Sequence, residues 1–179
     1  VVSLEAVCFE PPGMIMPLYT GGDLNTMLVN AAHTLSTAAA LRFSVQVARG
    51  LHHLHANNVL HNDLATRNVL VGADGMARVS DFGLSRLAES YYALQQKSFP
   101  VRWTALEVIR KRKYSRASDV WSLGVTIWEI FEGGTLPYCV FDEHEAVIRY
   151  VTGGGRLARP SETPVPNLVW SVMQRCWSG

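Results

Sequence analysis

Cys8, Cys139 and Cys176 are the only three cysteines in 179 residues, and no two of them stand in a C-x-x-C pair. An odd, scattered set argues against a disulfide framework and against a small structural zinc site, and it fits reducing surroundings. Charge of one sign is scarce as well. Sixteen Lys and Arg against 15 Asp and Glu leave a formal net charge of +1, so no basic surplus addresses nucleic acid. The basic cluster Lys111-Arg112-Lys113 stands beside a Tyr and a Ser and reads as a solvated turn. Long apolar runs are missing. The most hydrophobic stretch, residues 120–131, is too short for a bilayer and carries Glu129, and no secretory pattern opens the sequence. What is present is a 48% hydrophobic composition with five Trp, enough for one globular domain with a core.

Residues 1–9 and 14–18 are rich in β-branched and apolar side chains and predict two strands, joined by the turn Glu10-Pro11-Pro12-Gly13. A short helix is expected from about Asp23. Ser36 is a candidate N-cap for a long helix whose apolar positions Leu41, Val45, Ala48, Leu51 and Leu54 recur at spacings of four and three. His52, His53 and His55 near its end read as partners of the helix C-terminus and not as metal ligands. Residues 84–99 are polar and aperiodic, as in a functional loop. Helices are expected from Asp119 to about Phe131, over 142–151, and over 166–177 with Pro166 in the first turn.

Between these elements lies His-Asn-Asp-Leu-Ala-Thr-Arg-Asn-Val-Leu-Val-Gly-Ala-Asp-Gly-Met-Ala-Arg-Val-Ser-Asp-Phe-Gly, residues 61–83. Two apolar runs, 69–71 and 76–79, flank Asp74-Gly75, a strong hairpin signal because Gly tolerates positive φ. A hairpin there brings Asn68 and Asp81 to its open end, on strands about 4.8 Å apart. Their oxygens suit a hard cation such as Mg²⁺, held in part by phosphate, with Asp63 close by as a base.

His61-Asn62-Asp63 with Asn68 resembles the catalytic loop H-R-D-x-x-x-x-N of protein kinases, and Asp81-Phe82-Gly83 resembles their D-F-G, in the same order. Further along, Phe99-Pro100-Val101-Arg102-Trp103-Thr104-Ala105-Leu106-Glu107 resembles the substrate-proximal loop, with Ala-Leu-Glu for A-P-E, and Asp119-Val120-Trp121-Ser122-Leu123-Gly124 the buried central helix. Ala65 where serine/threonine kinases carry Lys, and Arg67 just before Asn68, resemble protein tyrosine kinases. That resemblance implies an α+β, protein-kinase-like fold with a mainly helical large lobe and short β-hairpins. Residues 1–19 correspond to the end of the small lobe and the hinge, and 20–179 to the large lobe.

The resemblance also implies roles, following the general scheme for phosphoryl transfer. Asp63 accepts the proton of a protein tyrosine hydroxyl, with Arg67 beside it, and Asn68 and Asp81 hold Mg²⁺ on ATP. Met16 is the gatekeeper, and adenine pairs with the Tyr19 amide and the Pro17 carbonyl. Pro100, Val101 and Trp103 shape the shelf for the tyrosine ring. Tyr91 and Tyr92 lie where regulatory phosphotyrosines occur, with Arg86 a candidate partner for phosphate. His61 and Phe82 pack together, Glu107 pairs with an Arg of a following helix, and Asp119 bonds to the catalytic-loop backbone.

The sequence also departs from the pattern. Asn62 replaces the Arg that in many kinases reads the activation-loop phosphate, so weaker phosphate dependence is expected. The Gly-rich loop, the strand Lys and its Glu partner are not among these residues, nor is the final helix. A chain cut at both ends and inactive alone is therefore expected, with a pseudokinase-like interaction module as the alternative. The expected setting is cytoplasmic, or the cytoplasmic part of a membrane receptor.

Overall fold

The computed structural model describes residues 1–31, 34–93 and 99–178. Its strands form separate antiparallel pairs, and its helices pack around one apolar core.

The first pair is β1 (Ala6–Phe9) with β2 (Pro12–Ile15), Phe9 facing Pro12 across a two-residue turn. Both strands are shorter than the sequence predicts, since pairing stops at Ala6 and Ile15, while at the other end it begins already at Pro12 and the turn keeps only Glu10 and Pro11. Residues 16–22 then run to α1 (Leu24–Asn30), where Asp23 caps the helix by accepting the Thr26 amide at 2.8 Å. Ser36 likewise caps α2 (Thr37–Ala56), accepting from the Ala39 amide at 3.2 Å.

The buried stripe of α2 agrees with the expected one at Leu51 and Leu54 and differs from it earlier in the helix. Ala40, Phe43, Val47, Leu51 and Leu54 face the core, whereas Val45 is 48% exposed. Two apolar stripes satisfy the helical period here, and the one containing the bulky Phe43 is the one that goes inside. Gly50 lies on that inner face because a Cβ there would stand 2.8 Å from Val79 Cγ2.

After α2 come β3 (Val59–Leu60), a 3-10 turn at Thr66–Asn68, and the hairpin of β4 (Val69–Val71) with β5 (Ala77–Val79), in the register Val69↔Val79. The chain before α1 docks on this hairpin: Gly21 N donates to Val71 O and Val71 N to Gly22 O, each at 2.9 Å. Residues 84–93 are more regular than their composition suggests. They contain β6 (Arg86–Leu87), paired with β3, and β7 (Ser90–Tyr92), paired with a strand from much later in the chain, β8 (Lys113–Ser115). Partners so distant in sequence leave no local signal. Residues 94–98 of the expected loop lie outside the described residues.

A second 3-10 turn at Val101–Trp103 leads to a short helix, α3 (Leu106–Lys111). The helix α4 (Arg116–Phe131) begins before Asp119, because Ser115 and Ser118 form a capping box. It is buried on nearly every side and packs against α2 and against α6 (Asn167–Cys176). Pro166 is the residue before α6 and not within its first turn, and α5 (His144–Thr152) packs against α3 and the second 3-10 turn. Among the described residues no helix is long and apolar enough to cross a membrane.

Candidate active site

The loop 61–68 is held from below by α4. Asp119, 1% exposed, accepts the backbone amides of His61 and Asn62, each at 2.9 Å, and contacts His55 Nε2 at 2.9 Å. A buried carboxylate is tolerated only when its lone pairs are filled, and these bonds fill them. Two turns on, Thr126 Oγ1 bonds the Leu64 carbonyl at 3.2 Å. Next, Glu129 accepts the Thr66 amide at 3.1 Å, the Thr66 hydroxyl at 3.0 Å and the Trp103 indole N–H at 2.8 Å. The helix thus acts as a ruler along the loop, with polar groups at 119, 126 and 129 facing it.

Of these, sequence reasoning found Asp119 only. Glu129 lies outside those expectations, although a lone acid inside an apolar run signals a buried, hydrogen-bonded group. Burial raises the Glu129 carboxyl to about 7, against the lowering effect of its donors and of the Arg67 charge.

Asp63 sits at the rim of this loop. Arg67 Nη2 donates to Asp63 Oδ1, one helical turn apart in sequence, and the Arg67 guanidinium lies 4.3 Å from the centre of the Trp103 ring. Glu129, Trp103, Arg67 and Asp63 therefore form a continuous chain of contacts from the core to the surface. Asp63 Oδ2 has no hydrogen-bond partner among the described residues. The Asp63 carbonyl accepts from Asn68 Nδ2 at 2.7 Å, which turns the Asn68 amide and leaves its Oδ1 likewise without a partner among them.

At the open end of the β4–β5 hairpin, Asn68 is directly opposite Ser80: Ser80 N and Oγ donate to the Asn68 carbonyl at 2.9 and 3.0 Å. Asp81 is the next residue, in the left-handed region with φ 58°, its Oδ1 accepting from Gly83 N at 3.1 Å. His61 lies underneath, fully buried. Its Nδ1 accepts the Asp63 amide at 3.3 Å and its Nε2 donates to the Ser80 carbonyl at 2.9 Å, while the Phe82 ring packs at 5.6 Å. The donors available for a cation are thus oxygens of Asn68 and Asp81, a set suited to Mg²⁺ with phosphate completing the shell. Among the described residues no group of three His, Cys, Asp or Glu could hold a metal.

The other candidate residues take different places. Met16 is 43% exposed, and Pro17 and Tyr19 line an open cavity of about 330 Å³ with Arg78 stacked on Tyr19 at 5.6 Å. Pro100 precedes the second 3-10 turn, while the Val101 side chain is 8% exposed and belongs to the core. Glu107 is in the first turn of α3 and makes no ion pair among the described residues.

The whole chain, residues 1–179, matches the family described as protein tyrosine and serine/threonine kinase. The chain belongs to that kinase family. It is 38% identical over 181 residues to the tyrosine-protein kinase Fer of Mus musculus and 36% identical over 181 residues to Fer of Homo sapiens, covering 99% of this chain and 22% of each relative. It is also 38% identical over 184 residues to the tyrosine-protein kinase Srms of Mus musculus, covering 100% of this chain and 36% of the relative. The chain therefore spans between 22% and 36% of the length of these kinases.

In this kinase-family chain the segment after Gly83 is tied down at several points. Asn62 Nδ2 donates to the Leu84 carbonyl at 2.7 Å, and Ser85 Oγ to the His61 carbonyl at 3.2 Å. Tyr91 and Tyr114 face each other across β7 and β8 with rings stacked at 5.1 Å and 9°. Tyr92, opposite Lys113, is 60% exposed, and Arg86 is exposed with its Nη1 on the Ser85 carbonyl.

Proposed function

We propose that this chain carries the catalytic half of a protein tyrosine kinase, which transfers the γ-phosphoryl group of ATP to a tyrosine hydroxyl. The observation that carries this is the state of Asp63: one carboxylate oxygen is fixed by Arg67, and the other has no partner among the described residues. A base so oriented accepts the phenolic proton as the oxygen attacks phosphorus. Asn68 and Asp81 would hold Mg²⁺, which would supply charge neutralisation on the phosphate oxygens. Adenine would pair with the Tyr19 amide and the Pro17 carbonyl beside Met16.

A tyrosine acceptor is supported by Ala65 and Arg67. Ala65 is buried and brings no cation to the loop, while Arg67 stacks on Trp103 and leaves that ring, with Pro100, as the wall along which a phenol would lie. The relatives named as tyrosine kinases point the same way. Tyr91 and Tyr92 are the candidate regulatory sites, with Arg86 the nearest guanidinium in sequence.

The test is phosphorylation of a tyrosine peptide and a matched serine peptide by the full-length protein with ATP and Mg²⁺, beside its Asp63→Asn variant. Transfer to tyrosine that the variant loses supports the proposal. Nucleotide binding without transfer would favour an interaction module, the reading that Asn62 in place of Arg invites.

A further inference from the structure

Among the described residues Asn62 and Tyr114 each keep a buried polar atom without a hydrogen-bond partner, Asn62 Oδ1 and Tyr114 Oη. The two side chains come from different parts of the chain, one from the catalytic loop and one from β8, and are 8% and 3% exposed. Which end of the Asn62 amide is oxygen is fixed by its neighbour: Nδ2 donates to the Leu84 carbonyl at 2.7 Å, so the remaining atom is an acceptor. Asn62 has φ 66°, a conformation that Asn accepts more readily than most residues.

Both side chains line one cavity of about 10 Å³, together with Thr104, Ser118 and Ser122. That volume holds about one water and nothing larger. A water there would donate to Asn62 Oδ1 and accept from the Tyr114 hydroxyl, which burial keeps protonated by raising its phenol. For the second water hydrogen the cavity offers Ser118 and Ser122. Their hydroxyls already donate, to Ser115 O at 2.7 Å and Trp103 O at 2.8 Å, and keep lone pairs for an acceptor role.

We propose that Asn62 and Tyr114, bridged by one water, are positioning residues that latch the segment after Gly83 onto the catalytic loop without a phosphate. The latch grips that segment at two ends. Asn62 holds Leu84 directly, and Tyr114 holds Tyr91 by the ring stack and the β7–β8 pairing. Its anchor is Asp119, which accepts the Asn62 amide. Every link above Asp119 is neutral, so the position that in many kinases reads a phosphate here performs the holding itself. The proposal deepens the kinase reading and rests on taking residues 84–99 as the activation segment.

Two measurements test it without requiring turnover. A high-resolution crystal structure is expected to show an ordered water within hydrogen-bond distance of both Asn62 Oδ1 and Tyr114 Oη; a dry cavity overturns the bridge. Hydrogen exchange of the Ala93 amide, which bonds the Arg112 carbonyl at 3.0 Å next to the Tyr91 pairing, reads the latch. Tyr114→Phe keeps the ring stack and removes only the hydroxyl, and Asn62→Gly keeps the positive φ. Tyr114→Phe is expected to speed exchange about tenfold, Asn62→Gly, which also removes the Leu84 bond, by more, and the double variant to stay within about twofold of Asn62→Gly, because one water serves both. Independent, multiplicative effects, or no effect of Tyr114→Phe, overturn the proposal. Assays of the phosphatase-treated full-length protein separate the two levels. Coupled exchange without tyrosine transfer leaves the latch standing and removes the kinase reading, whereas transfer with uncoupled exchange does the reverse.

Discussion

The Glu129 carboxylate accepts the Trp103 indole N–H at 2.8 Å from inside the core, beneath a ring that also carries the Arg67 guanidinium on its face. Burial raises this acid from 4.5 to about 7. An acid raised in the folded state contributes stability that is complete below its unfolded pKa and is lost as pH climbs through the folded one. Between 4.5 and about 7 the folded chain should therefore lose on the order of 3 kcal/mol from this group, and nothing more above that window. Glu129→Gln can still accept from Trp103 and donate toward Thr66, so it should fold. Urea unfolding at about pH 5 and about pH 8 is expected to show a smaller decline for the variant than for the parent chain. Equal declines would remove Glu129 as the source.

Asp63→Asn keeps the shape of the proposed base and removes its basicity. Turnover of a tyrosine peptide by the full-length protein should fall about 10²- to 10⁴-fold, equivalent to roughly 3 to 5 kcal/mol of barrier. Arg67→Lys preserves the charge beside Asp63 but loses the planar group that lies on Trp103, so a smaller drop, in kcat more than in KM, is expected. A variant Asp63→Asn that turns over near the parent rate would sink the assignment.

Asp119→Ala should destabilise far more than a surface change. It leaves the buried amides of His61 and Asn62 without acceptors, and His55 without its partner. Breaking such a buried charged network costs about 3 to 5 kcal/mol. A shift in the urea midpoint worth less than about 1 kcal/mol would mean that water replaces the carboxylate freely.

Gly124→Ala decides between two opposing effects. Helix propensity favours Ala by about 1 kcal/mol in the middle of a helix such as α4. Against it, a Cβ at this position would meet Cys176 Cβ at 2.6 Å and Trp177 Nε1 at 2.7 Å, where α4 crosses the end of α6. Overpacking costs about 1 to 3 kcal/mol, so a net loss of stability is expected in thermal unfolding; a gain would show that α6 moves away without penalty.

These particulars mark what could be read in advance. The hairpin of residues 69–79, the start of α1 near Asp23, the cap at Ser36 and the apolar run of α4 were legible because each is encoded by neighbours a few residues apart. The kinase resemblance was legible for the same reason, since its motifs are short and ordered. The pairing of β7 with β8, the Glu129 contacts to Thr66 and Trp103, and the His55 contact to Asp119 join residues tens of positions apart, and no periodicity announces them. The part of the α2 stripe that was misplaced, Val45 above all, has another origin. When two faces of a helix are both apolar, spacing alone cannot choose, and the size of Phe43 makes the choice through packing.

Tyr91 and Tyr92 are adjacent in sequence but differ in place. On β7 their side chains point to opposite faces: Tyr91 stacks on Tyr114 at 5.1 Å, while Tyr92 is 60% exposed and stands opposite Lys113. A phosphate on Tyr91 would have to break the ring stack and carry its charge past a half-buried position, which burial already disfavours by raising the Tyr91 phenol. A phosphate on Tyr92 would stay in solvent with the Lys113 ammonium across the strand pair, a charge-assisted contact that fastens β7 to β8. Tyr92 is therefore expected to be modified several-fold faster than Tyr91, by an added tyrosine kinase or by a small tyrosine-nitrating reagent, when both sites are followed by mass spectrometry. Lys113→Glu should weaken the hydrogen-exchange protection that phosphate on Tyr92 confers on β7 without changing the rate at which the reagent nitrates Tyr92. Faster modification of Tyr91 than of Tyr92 in the folded chain would show that the Tyr91–Tyr114 stack opens readily, and the order of the two sites would have to be reversed.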